Sequence, residues 1–275
     1  MGATMLLFVP TREHSAALVE KELRRRVEAL SGVRADTWKV SCDTCVQPTA
    51  DARGIHLPCK LGAAGSELHI LSFRMRSLKL EYVVLKADDG GPARDATGIT
   101  QSTELILLPS SPDLRALLMR VAAAATGSKP VRVLHGVQYD MCDLIIRVGT
   151  VMERGLTKLT VLEVEYLPCD EMAECRELLV EFLQRVFAPL VASPDAEDEK
   201  QACRLANLDM RPHIIELDNA QQTLVSRADD HETLHNSHPA HAHMQSARER
   251  CLKYFLLLAR PLEQLASFPE LFPSR

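Results

Sequence analysis

Glu163 and Glu165, two residues apart in the run KLTVLEVEYL, are the carboxylates in this sequence best spaced for metal-assisted phosphoryl chemistry. Side chains alternate along a strand, so both would leave one face while Leu162, Val164 and Tyr166 leave the other. On the inner wall of a barrel such a pair would hold a divalent ion against a triphosphate. That hydrolase also needs a second E-x-E pair and several inward Arg and Lys residues to clamp the phosphates. The remaining strands lack it, because ELHI and KLEY each offer a lone glutamate. Alternating charge on one sheet face is ordinary, and the pair is read as a strand face directed at solvent or at a partner. The sequence also carries no GxSxG, no Walker-type phosphate loop, no GxGxxG after a strand and no HExxH. No catalytic or cofactor-binding residue is assigned, and the metal-dependent triphosphate hydrolase using Glu163 and Glu165 stands as the alternative to a non-catalytic protein.

Cys42, Cys45, His56 and Cys59 have the donor types and spacing of a tetrahedral zinc site. Cys42 and Cys45 end a strand pattern, however, and the usual second CxxC or HxxxH half-site is missing. His231, His235, His238, His241 and His243 sit in a polar stretch with no scaffold to preorganise them. Neither group is assigned a metal. The eight cysteines, without a secretory signal before them, read as reduced thiols acting mostly as small buried hydrophobes.

The elements that must position these groups follow from periodicity. MLLFVP reads as a short strand, and Ala16, Val19, Leu23, Val27 and Leu30 recur at helical spacing until Gly32. The basic run KELRRR within it is a solvated helix face. ADTWKVSC, SELHILSFRM, LKLEYVVLKA and STELILLP are β-favourable runs separated by Gly-, Pro- or Asp-rich turns, the pattern of an antiparallel meander. Ser111 and Pro112 open a helix that Gly127 ends. Three strands then follow in close succession, VRVLHGVQY, CDLIIRVGTV and KLTVLEVEYL, with Cys142, Leu144, Ile146 and Val148 sharing a core face and Asp143 and Arg147 opposite. A helix from about Asp170 presents Met172, Cys175, Leu178, Leu179, Phe182, Leu183, Val186 and Phe187 as a continuous apolar stripe.

These elements make an α+β fold, an antiparallel closed or nearly closed β-barrel of about eight strands with flanking helices. Residues 1–190 form the barrel domain and residues 191–243 a largely flexible acidic and histidine-rich insertion around the island HIIELD. Residues 244–275 form a C-terminal helix that packs back on the barrel or on a partner. With 275 residues, a net charge of −5 and a pI near 6.1, the chain has no overall electrostatic footprint for direct nucleic acid binding. No 18-residue apolar run is present, and MGATMLLFVP is too short and uncharged for a secretory signal.

From Tyr139 onward the tokens fall in a known order: Y-x-x-CD, VGTV, LEVEYLPC, a cysteine six residues on at Cys175, then LLVEFLQ. This order resembles the family of subunit 20 of the Mediator complex, with weaker correspondence backward through LSF and SCDT and forward to the terminal helix. The longer acidic and histidine-rich segment and the longer tail depart from it. The resemblance implies a β-barrel without catalytic activity or cofactor, and a nuclear place in the Mediator head module. There it would form a heterodimer with the related barrel of subunit 18, tethered by subunit 8, and link regulators to RNA polymerase II. It also implies a likeness in shape to RNA-capping triphosphatases, and a fold shared with enzymes does not carry their chemistry.

Overall fold

Alternating oily and polar runs build two antiparallel meanders that share one sheet. The computed structural model describes residues 2–10, 16–46, 67–75, 78–87, 104–109, 132–187, 212–217, 240–259, 262–265 and 267–271. The first meander comprises β2 (Val33–Val46), β3 (Glu67–Met75), β4 (Leu78–Ala87) and β5 (Glu104–Pro109). The second comprises β6 (Arg132–Met141), β7 (Leu144–Glu153) and β8 (Leu156–Tyr166). Antiparallel pairing of β2 with β6 joins them, β1 (Ala3–Pro10) pairs with β8, and the short β9 (His213–Ile214) pairs with β1. The strand order is β5-β4-β3-β2-β6-β7-β8-β1-β9.

Local chemistry explains the turns. Arg154 at φ 52° and Gly155 at φ 79° make the two-residue turn between β7 and β8, whose positive φ values match the twist of the flanking strands. Cys142, expected on the core face with Leu144, Ile146 and Val148, instead occupies the β6–β7 turn at φ 50° and is exposed. The alternation keeps its phase but starts two residues later, at Leu144. Gly136 faces Gly149 across β6 and β7. A Cβ on Gly136 would meet the Val148 carbonyl oxygen at 2.4 Å and the Trp38 ring at 2.6 Å, so the indole seats only on a bare backbone.

Four helices lie among the described residues. On the convex face, α1 (Ala16–Ala29) packs on β7 and β8, and α2 (Met172–Phe187) packs on β1 and β8. Val19, Leu23 and Val27 of α1 and Cys175, Leu179, Leu183 and Val186 of α2 are buried there, as their spacing predicts, with Met172, Phe182 and Phe187 partly buried beside them, whereas Leu178, expected in the same stripe, is exposed. Ser31, not Gly32, takes the left-handed position after α1 at φ 72°, and the Gly32 amide donates to the Val27 carbonyl at 2.9 Å. Arg26 then donates to the Val186 carbonyl at 2.8 Å, satisfying an orphan acceptor at the C-terminus of α2.

On the concave face lies α3 (Ala240–Ala259), followed by the single turn α4 (Leu262–Leu265). The sheet curls around α3, which touches β1, β2, β3 and β6. Leu6, Phe8, Trp38, Leu71, Phe73, Tyr82 and Leu134 from the sheet meet Cys251, Tyr254, Phe255 and Leu258 from the helix. Every residue from Arg250 to Leu258 is buried. The terminal helix therefore docks on its own sheet, and it opens at Ala240, ahead of the expected residue 244.

The expectation of a closed or nearly closed eight-strand barrel is corrected. Nine strands are described, and the sheet is an open, curled half-barrel whose terminal strands β5 and β9 do not pair with each other. A helix about 10 Å across occupies the space that closure would need, so the strands wrap it instead of meeting. The expected helix from Ser111 to Gly127 lies outside the described residues.

Candidate functional site

Glu163 and Glu165 do leave the same face of β8, and that face is the concave one. Glu163 is 0 % exposed and Glu165 3 %. The expectation that they face solvent or a partner is overturned, because α3 of the same chain covers them. β-sheet register sets the first contacts. Arg147 of β7 stands directly opposite Glu163, and Gln138 of β6 directly opposite Arg147. The Arg147 guanidinium pairs with Glu163 and, at 2.8 Å, with Glu165, while its Nε donates to the Gln138 amide oxygen at 3.0 Å.

The helix completes the cluster from above. Arg250 pairs with Glu163 through Nη2, donates from Nε to Glu163 Oε2 at 3.2 Å, and approaches Glu165 at 3.5 Å. Tyr254, one helical turn on, donates its hydroxyl to Glu163 Oε2. The Gly2 amide donates to Glu165 Oε1 at 3.3 Å. Beside them the Lys253 ammonium donates to the Thr4 carbonyl at 2.8 Å and pairs with Glu249 at 2.6 Å.

Two carboxylates thus meet two guanidiniums, and the local charge closes to zero. Burial opposes ionisation of Glu165, but Arg250, Arg147 and the Gly2 amide outweigh it and hold its pKa below the ordinary value of 4.5. Burial likewise opposes the charge on Arg250, and Glu163, Tyr254 and Glu165 overcome it, so the guanidinium stays charged. The Tyr254 hydroxyl is pushed well above its usual range by burial and then by Glu163, and it remains a donor.

A metal-dependent site needs carboxylate lone pairs open toward an ion and a chamber open toward substrate. Here guanidinium and phenol donors take those lone pairs, and Trp38, Phe73 and Tyr254 stack edge-to-face around them, with centroids 6.0 Å and 5.3 Å from Tyr254. The cleft that opens nearby, about 220 Å³, is lined by Thr4, Met172, Arg176, Glu216, Glu249 and Lys253. Its cations are already neutralised, Arg176 by Glu216 at 2.6 Å and Lys253 by Glu249. The arrangement suits fixing a helix in one register inside a curled sheet. It does not suit turning over a phosphate.

The zinc candidates do not assemble. Cys42 is buried in the apolar core around α3, the side chain of Cys45 is not described, and His56 and Cys59 lie outside the described residues. His241 and His243 fall in the first turn of α3, while His231, His235 and His238 lie outside the described residues. Among the described residues, no group of three or more His, Cys, Asp or Glu side chains could hold a metal ion. Sequence reasoning missed Arg250 and Tyr254. Their signal was an Arg and a Tyr four apart on one face of RCLKYFLLLA, a run that is apolar apart from them and Lys253.

Comparison with known proteins adds a family. A model of the family described as "TATA-binding related factor (TRF) of subunit 20 of Mediator complex" matches residues 1–225. The Mediator of RNA polymerase II transcription subunit 20 from Aedes aegypti is 27 % identical over 185 residues, covering 67 % of this chain and 73 % of that protein. The corresponding Xenopus laevis protein is 25 % identical over 186 residues, covering 67 % and 77 %. A chain of the Schizosaccharomyces pombe Mediator head module superimposes with a TM-score of 0.34 at 12 % identity, over 67 % of this chain and 94 % of that one.

Proposed function

This chain belongs to the family of subunit 20 of the Mediator complex, and we propose that it works as a non-catalytic subunit of that transcriptional coactivator, in the nucleus. The observation that carries the absence of catalysis is the concave interior. Its E-x-E pair, Glu163 and Glu165, is sealed by the chain's own helix and neutralised by Arg147 and Arg250. An interior used this way serves shape, and shape is what a scaffold offers.

In this reading the protein belongs to the head module, pairs as a heterodimer with the related barrel of subunit 18, is tethered by subunit 8, and links regulators to RNA polymerase II. The open sheet supports docking, because β5 ends the sheet with one edge left without a partner strand among the described residues. Residues 1–190 act as the docking body and residues 244–275 as the helix that fills it. Residues 191–243 connect the two, with 212–217 stapled onto β1. No direct nucleic acid contact and no membrane association is part of the proposal. Among the described residues, no helix is long and apolar enough to cross a membrane.

Affinity purification of the tagged full-length chain from nuclear extract, with mass spectrometry of the co-purifying proteins, tests the reading. Recovery of Mediator head subunits is expected. Their absence, together with chelator-sensitive triphosphate hydrolysis by the pure protein, would replace the scaffold with the enzyme.

A further inference from the structure

Two cysteines meet where β8 passes into α2. Residues 167–171 link the strand to the helix, and two backbone hydrogen bonds hold the link in place. The Leu167 amide donates to the Asp143 carbonyl at 2.9 Å, and the Ala3 amide donates to the Cys169 carbonyl at 2.6 Å. Cys169 is thereby fixed beside the start of β1. Cys175 sits in the first turn of α2, with its side chain in the core beneath the helix.

Their sulfurs converge on one acceptor. Cys169 Sγ lies 3.3 Å from the Glu171 carbonyl oxygen and Cys175 Sγ 3.5 Å from the same atom, and the two thiols hydrogen-bond to each other. Hydrogen-bonded thiols already point at one another, the arrangement from which a disulfide closes. Their exposures differ. Cys169 is half-buried and reachable from solvent, whereas Cys175 is 4 % exposed. Burial, and after it the Cys169 thiol, pushes the Cys175 thiol above its ordinary pKa, which makes it a poor first nucleophile. Cys42 and Cys251 also neighbour each other, but both are buried in the core around α3, away from any soluble oxidant. An accessible thiol with a second thiol beside it to resolve the first product is the construction of a reversible redox site.

We propose that Cys169 and Cys175 are a redox modification site, which a soluble disulfide such as glutathione disulfide converts to a reversible intrachain disulfide. Cys169, as the thiolate, attacks one sulfur of glutathione disulfide. That sulfur–sulfur bond breaks, and one glutathione leaves as a thiolate and takes up the proton that Cys169 gave up. Cys175 then attacks the Cys169 sulfur of the mixed disulfide, and the second glutathione leaves with the Cys175 proton. Two thiols are oxidised by two electrons, and glutathione disulfide is reduced to two glutathiones. The new bond fastens the first turn of α2 to the link that β1 already holds. In a reducing compartment the pair rests as two thiols, and the disulfide forms under oxidising load. The proposal does not rest on the family reading.

Trypsin releases both cysteines in one peptide, residues 159–176, which contains no other cysteine. The full-length protein is equilibrated in glutathione buffers of graded ratio, quenched with N-ethylmaleimide in acidic urea, digested and weighed by mass spectrometry. The expected product is this peptide unalkylated and two hydrogens lighter than its dithiol form, and dithiothreitol restores the dithiol. Because the fold holds the sulfurs together, the native chain is half-oxidised at a squared-glutathione to glutathione-disulfide ratio about tenfold or more above that of the chain unfolded in urea. Cys175→Ala removes the resolving thiol, so glutathione accumulates on Cys169 instead. The proposal is overturned if both native thiols stay open to alkylation under conditions that oxidise the unfolded chain. It is equally overturned if the native and unfolded chains oxidise at the same ratio, or if glutathione stays on Cys169 of the wild type with Cys175 free.

Discussion

Arg250→Met removes one of the two cations that neutralise Glu163 and Glu165, and its cost can be worked from the geometry. The four ionic side chains are 0 to 6 % exposed, so water cannot enter to replace the lost guanidinium. What remains is two carboxylates against Arg147 alone, with Glu163 stripped of two donors. Removing one partner of a buried ion pair costs about 3 to 5 kcal/mol. Against a typical domain stability of about 5 to 15 kcal/mol, that is a large share of the whole. Urea unfolding followed by circular dichroism should show the midpoint falling sharply. Arg185→Met is the internal reference, because its partner Glu181 and Arg185 itself are 68 and 69 % exposed, and such pairs are worth about 0 to 1 kcal/mol. Adding Glu163→Gln to Arg250→Met restores charge balance with one carboxylate and one guanidinium, so the double variant should lose less than the sum of the singles. If Arg250→Met costs no more than the surface reference at an unchanged denaturant slope, the sealed and balanced cluster is refuted.

The same cluster makes Glu163→Gln with Glu165→Gln strongly destabilising. A solvated face would tolerate the pair at about 0.5 kcal/mol, whereas here two guanidiniums stay buried without counter-charge. Glu165 titrates below its unfolded value of 4.5, so the folded state binds its proton only at lower pH. Its contribution is complete above the ordinary carboxylate range and drains away as pH falls through it, a slope that Arg250→Met should flatten in acid unfolding curves. Ultraviolet titration should find Tyr139, pushed up to about 12 by burial and its bond to Glu28, resisting ionisation together with Tyr82 and Tyr254. Leu179→Ala and Leu183→Ala should each cost about 2 to 5 kcal/mol in thermal or urea unfolding, because both are fully buried. Leu178→Ala, at 47 % exposure, should stay within about 0.5 kcal/mol. Gly136→Ala should cost roughly 1 to 3 kcal/mol by forcing the Trp38 ring and the Val148 carbonyl apart, and near-ultraviolet circular dichroism of the single Trp should change with it.

Periodicity made the elements legible from the sequence. β6, β7 and β8, the stripes of α1 and α2, and the antiparallel meander from β2 to β5 all follow from residues two or three to four apart, and local sterics and hydrophobic burial act at those separations. The pairing of Glu163 and Glu165 on one face was equally local. Which face that was, and what covered it, depended on a helix that begins 75 residues later in the chain. No pattern within β8 encodes it, because an alternating strand reads the same whether its polar side meets water or a guanidinium. The open half-barrel was hidden for the same reason. Closure turns on whether the interior is filled by strand side chains or by an inserted helix, and only the tertiary structure placed Arg250 and Tyr254 within reach of carboxylates on the far side of the sheet's curve. The sequence determined which surfaces must be buried, since that is a property of each element alone. The fold decided what buries them, since that is a property of pairs of elements distant in the chain.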